Sequence, residues 1–208
     1  MKLSLEQVRA DFERHTREHQ ITIALDNGVY RHVICSKPGT SIYRFEIVTY
    51  PGHLVVSGDM GSWTFCRIRD MFEFFRYPEG HINRPYWAEK LVAVDRVGNE
   101  VGHPGKEFCE DTFQQNVLEQ LQNMEAPAHV VERVRDEVFP YCADGAHAAM
   151  QALRDFDEDG YSFPDFFELP YTNWTFHYTW ICLAIVWAIN RYDSARGSVA
   201  EGREQVTA

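Results

Sequence analysis

A chain of 208 residues with 45% hydrophobic and 14% aromatic content can bury a full core. Its five cysteines are odd in number and widely spaced, which argues against a disulfide framework or a zinc finger and for reduced, buried thiols. The net charge of −11 disfavours a phosphate-backbone binder, which needs clustered Lys and Arg.

In chain order, Ser4 followed by apolar positions at Val8 and Phe12 predicts a capped helix from Leu5 to His19. β-rich runs follow at Ile21 to Leu25 and Val29 to Cys35, with Asp26-Asn27-Gly28 between them as a hairpin signal. Three more strands are expected at Ser41 to Tyr50, Leu54 to Ser57 and Ser62 to Ile68. They are broken by Pro51-Gly52 and by the four-residue stretch GDMG at 58–61. From Asp70 the apolar spacing becomes helical, in DMFEFFRY and in PYWAEKLVAV, where Pro85 suits a first helical turn. A Gly-rich loop is expected over 95–105, then three amphipathic helices between Glu110 and Phe156. An aromatic loop from Tyr161 to Pro170 leads to a last helix from Asn173 to Tyr192, apolar nearly all round and therefore central. A disordered tail is expected over 194–208.

These elements predict an α+β fold: a meander of about five antiparallel strands packed against a C-terminal helical layer, with an N-terminal helix. One domain is expected over 1–193, with a sheet half at 21–68 and a helical half at 69–193. The N-terminal stretch has no signal-peptide pattern, and the longest apolar run, Trp180 to Ile189, is too short to span a bilayer, so a cytoplasmic protein with no membrane partner is expected.

The charge is unevenly distributed. Residues 100–170 hold 16 Asp/Glu against 4 Lys/Arg, whereas residues 1–99 hold 12 against 13 and 171–208 hold 3 against 3. An acidic face in this segment suits a basic protein surface, including the nucleic-acid channel of another protein, better than nucleic acid itself. Glu132, Asp136, Glu137, Asp157 and Asp159 are its candidate partner-binding residues.

Residues 155–160, DFDEDG, match the first half of a calcium-binding loop, with Asp155, Asp157 and Asp159 as carboxylate ligands and Gly160 at the turn. The second half departs: Phe166 stands where a bidentate glutamate belongs, Ser162 replaces an aliphatic and Pro164 interrupts the exit helix. A solvated acidic turn is the expected state, with a metal site on Asp155, Asp157 and Asp159 as the alternative. His81, His103, His129 and His147 have no partner histidine at ligand spacing. His177, on the last helix, needs a polar partner, which Asp59, Asp70 or Glu168 could supply. Asp59, His177 and Arg67 are the catalytic candidates, should they converge between sheet and last helix. No phosphate-binding loop, GxSxG or Walker motif is present, and no cofactor is expected.

The blocks PGHLVVSGDMGSWTFCRIRDMFEFF, PYWAEKLVAVDR and YTNWTFHYTWICLAIVWAINRYD resemble a family of uncharacterised accessory proteins of tailed bacteriophages and prophages, over most of residues 20–193. The resemblance implies action in the cytoplasm of an infected bacterium and brings no catalytic residues. Such proteins commonly act on host machinery, which favours binding of a host protein, with inhibition of a bacterial defence system as one form. A small enzyme or ligand-binding domain around Asp59 and His177, and a phage structural or assembly protein, are the alternatives.

Overall fold

The computed structural model describes residues 4–95, 105–164, 166 and 170–206, the stretch 198–206 by backbone alone. The chain divides into two compact units, one formed by residues 3–99 with 175–208 and the other by residues 100–174.

The first unit is α+β. Helix α1 (Leu5–Thr16) opens on a capping box in which the Ser4 hydroxyl accepts from the Gln7 amide and the Gln7 side chain accepts from the Ser4 amide. Strands β1 (Gln20–Asn27), β2 (Tyr30–Ser36), β3 (Phe45–Tyr50), β4 (His53–Gly58) and β5 (Trp63–Cys66) form the expected antiparallel meander. Gly28, at φ 61°, turns the first hairpin, and Asn27 pairs with Tyr30 across it.

Three helices complete the unit: α2 (Met71–Phe75), α3 (Arg84–Ala88) and α7 (Phe176–Val206). PYWAEKLVAV does not form one helix as predicted. Helix α3 ends at Ala88, and β6 (Leu91–Val94) adds a sixth strand beside β5. Strand β5 would otherwise leave a row of backbone groups unpaired at the sheet edge. The Ser62 amide donates to the Asp95 carboxylate at 2.7 Å, and the Asp95 amide returns to the Ser62 carbonyl, which anchors the added strand.

Alternation along β2 to β5 buries Val33, Cys35, Phe45, Ile47, Leu54, Val56, Trp63 and Phe65 on one sheet face. Helix α7 is buried on several sides at once, as its all-round apolar sequence predicts. Trp180 meets Phe12 of α1 and Phe45 of the sheet edge-on, Tyr178 meets Trp63, and Tyr192 meets Phe72 of α2. The helix does not stop at Ser194, where a tail is expected, but continues to Val206. The Ser194 hydroxyl donates to the Asn190 carbonyl, and Arg196 reaches both the Tyr192 hydroxyl and Asp26. No described helix is long and apolar enough to cross a membrane.

The second unit pairs β7 (Lys106–Phe108) with β8 (Thr172–Trp174) and carries the three expected helices, α4 (Glu110–Asn123), α5 (Ala128–Glu137) and α6 (Ala146–Asp155). A 3-10 helix over Phe139–Asp144 joins α5 to α6. It has a core of its own, in which Phe113, Val117 and Leu121 of α4 join Val130 and Val134 of α5, Leu153 of α6, and Phe156, Phe163 and Phe166. Most of the predicted Gly-rich loop at 95–105, His103 and Glu168 lie outside the described residues.

All five cysteines are free. Burial pushes the Cys35 thiol far up, Cys182 up to about 12 and Cys142 up to about 11. These thiols are protonated and inert at neutral pH.

Candidate functional site

The acidic excess seen in sequence coincides with a structural unit. Residues 100–174 contain all 16 acidic and 4 basic residues counted over 100–170, and they fold around their own core.

Within that unit an open groove of about 770 Å³ runs between the end of α5, the 3-10 helix and α6. Pro140, Ala148, Ala152 and Phe156 form its apolar lining, and Tyr141, 48% exposed, adds an aromatic ring. Asp136, Glu137 and Asp155 also line it, with His147 and Gln151. These carboxylates occupy the last turns of α5 and α6, where the unpaired carbonyls of a helix already concentrate negative potential. A carboxylate there costs about 0.3–1 kcal/mol instead of stabilising the helix. Arg133 pairs with Glu137 at 2.6 Å and Asp155 accepts from the Gln151 amide, while Asp136 is exposed on the rim.

Glu132 is exposed on the same helix, one turn before Asp136. Asp157 and Asp159 follow α6, and Asp159 is fixed beside α5 because its carboxylate meets His129 Nε2 at 2.7 Å. Arg133 approaches Glu158 at 3.5 Å. The five candidate partner-binding residues therefore belong to α5 and to the turn that the His129 and Arg133 contacts hold against it.

That turn explains the calcium-like stretch. Glu158 and Tyr161 exchange backbone hydrogen bonds in both directions, closing a two-residue loop of Asp159 and Gly160. Both loop residues have positive φ, 52° and 82°. This is the requirement of a type I′ turn, for which Asp-Gly is a preferred pair. The carboxylates face different partners, Asp155 with Gln151 and Asp159 with His129. Among the described residues no group of three His, Cys, Asp or Glu is placed to hold a metal ion.

The three catalytic candidates, all in the first unit, are not brought together. Asp59 follows β4, and its carboxylate accepts from the Tyr43 amide at 2.6 Å. Arg67 lies at the other end of the β4–β5 ladder, its amide donating to the Gly52 carbonyl. His177 is half-buried in the first turn of α7, edge-on to Phe176. Asp70, a possible partner for His177, is committed to Arg31.

A second set of residues gathers around α1. The His15 ring stacks on Tyr43 with centroids 3.6 Å apart, and Trp180 donates its indole N–H to His15 Nδ1. Burial, reinforced by Arg14, holds the His15 pKa below the ordinary histidine value and keeps it neutral. His19 Nε2 donates to the Tyr43 carbonyl at 3.0 Å. The only sequence signal for this set is the four-residue spacing of His15 and His19 on a charged helix end.

Comparison with known proteins finds no matching family model, no matching curated protein and no matching solved structure. The fold and site define the class: an α+β unit joined to a small, strongly acidic, mainly helical unit.

Proposed function

We propose that this protein acts by binding another protein, through the acidic groove and adjoining α5 face of the 100–174 unit. The partner would be a host bacterial protein with a basic, partly apolar segment. The observation that carries this reading is the segregation of charge: net −12 over residues 100–170, against near neutrality on either side, in a unit with its own core. The carboxylates at the ends of α5 and α6 support it, because they work against the helices that carry them. A lining that mixes apolar side chains with carboxylates suits a segment in which Lys or Arg flanks an aromatic or aliphatic side chain.

If the sequence resemblance to phage accessory proteins holds, this activity would take place in a phage-infected bacterium. A basic target there includes the nucleic-acid-binding surface of a host enzyme, which makes inhibition of a defence system the sharper form of the proposal. Carboxylates displayed on a folded surface would then compete for the cations that hold phosphates.

The test is capture of partners from bacterial lysate by the tagged protein, identified by mass spectrometry, beside a variant carrying Glu132→Lys, Asp136→Lys and Glu137→Lys. A partner retained at low salt, released as salt rises and lost with the variant is expected. Equal capture by both proteins would reject the electrostatic site.

A further inference from the structure

A separate cavity of about 190 Å³ lies in the first unit between α1, α7 and the loop at Glu79-Gly80. Phe12, Leu183 and Trp187 form its apolar side, while Arg9, Arg17 and Arg191 stand around the rest, with Glu13 and Glu79 also at its edge. Arg191 lies 5.3 Å above the Trp187 ring and only 3.9 Å from Glu79, a loose pairing.

Two polar atoms in its lining are buried without a hydrogen-bond partner: Arg9 Nε and His19 Nδ1. A buried N–H left unpaired costs about 1–3 kcal/mol. The rest of the Arg9 guanidinium is held in place, since its Nη2 donates to the Gly80 carbonyl at 2.8 Å. The neighbouring polar groups are already engaged: the Thr16 hydroxyl donates to Phe12 O, and His19 Nε2 to Tyr43 O. The lining therefore combines a guanidinium whose Nε–H has no partner in the fold with an indole and two further guanidiniums.

We propose that this cavity binds a small organic oxyanion: a carboxylate or phosphate group seated on Arg9, with a short planar or apolar body against Trp187 and Leu183. An oxyanion accepts from the Arg9 Nε–H that nothing in the fold satisfies, and charge-assisted bonds of this kind are stronger than neutral ones. The cavity sets the scale of the group it holds. At about 30 Å³ per water in the liquid, it matches roughly six waters, the size of a benzoate or smaller. The cavity is distinct from the acidic groove, so the proposal does not depend on the protein-binding reading.

The probes are benzoate, its neutral counterpart benzamide, and inorganic phosphate, each titrated into the full chain at low salt while the Trp187 indole resonance is followed by NMR. Saturable shifts with benzoate, no saturation with benzamide and weaker response to phosphate are expected. Arg191→Gln, an exposed change that leaves the core intact, and Arg9→Gln should each weaken benzoate binding about tenfold or more, the equivalent of one charge-assisted hydrogen bond. Circular dichroism verifies that both variants fold. No saturation with benzoate, equal response to benzamide, or unchanged affinity in both folded variants would overturn the proposal.

Discussion

Arg31 of β2 and Asp70 at the head of α2 form a two-pronged ion pair, Nη1 to Oδ1 and Nη2 to Oδ2, each 2.8 Å long. Arg31 is also over the Phe72 ring and donates from Nε to the Tyr192 hydroxyl. Asp70 caps α2 through the Phe72 amide. One buried guanidinium thus fastens the sheet to two helices. Burial alone would raise the Asp70 pKa, but the hydrogen bonds from Arg31 and the Phe72 amide win and hold it below the ordinary carboxylate value. A depressed carboxylate stabilises the fold above its unfolded pKa and loses that contribution as pH falls through the folded one. Asp70→Asn should therefore cost about 3 kcal/mol at about pH 7, as expected for breaking a buried pair, and the gap to the wild type should shrink below about pH 4. Urea melts at the two pH values measure it, and a pH-independent gap would refute the assignment.

Gly58 ends β4 with no room for a side chain. A Cβ there would lie 2.2 Å from the Arg44 carbonyl oxygen and 2.7 Å from Phe45 Cα. Both are backbone atoms, one in the first residue of β3 and one in the residue before it, and cannot rotate away. Gly58→Ala should destabilise by roughly 2–3 kcal/mol or more, within the range of strained backbone substitutions. A thermal melt within a degree or two of wild type would show that the two strands part at little cost.

Glu125 sits at φ 54° after α4, where the Ala126 amide bonds the Leu121 carbonyl and the Glu125 amide bonds the Gln122 carbonyl. These two bonds are those of a Schellman cap, whose left-handed residue is usually glycine. Glu125→Gly should raise stability by about 1 kcal/mol, the strain an L-residue carries in that conformation. Chemical denaturation reads the sign directly.

Asp136 offers a test that separates function from folding. Because its charge opposes the end of α5, Asp136→Lys should leave stability unchanged or raise it by about 0.5 kcal/mol. The same change should weaken partner capture. A large stability loss would make Asp136 a structural residue.

Asp59→Ala should cost about 1 kcal/mol by stranding the Tyr43 amide, whereas Asp59→Asn, which keeps an acceptor oxygen, should cost less. Tyr43 is itself at φ 56° and stacked on His15. A loosened 40–44 loop, seen as faster amide exchange, is the expected signature.

Local rules made much of this fold legible in sequence. The capping box at Ser4, the hairpin at Gly28 and the alternation of β2 to β5 depend on residues within a few positions of one another. The apolar surface of α7 likewise announced a central helix. Leu91–Val94 was not legible, because the same residues fit a helical spacing and only the open edge of β5 makes them a strand. Asp159-Gly160 fits the first half of a calcium loop and a type I′ turn alike, and the closure of Glu158 onto Tyr161 decides for the turn. The cavity around Arg9 was invisible because its lining comes from α1, from Glu79-Gly80 and from α7, far apart along the chain.

By itself the sequence determined the meander, the three amphipathic helices after Glu110 and the acidity of residues 100–170, since turn chemistry, periodicity and charge are properties of contiguous residues. Only the tertiary structure decided that 3–99 closes with 175–208 into one compact unit while 100–174 builds another. It also decided that Asp59 serves Tyr43, and that Arg9 Nε and His19 Nδ1 are left unpaired around a cavity. Those outcomes depend on which distant surfaces exclude water together, and burial creates that relation only when the chain has closed on itself.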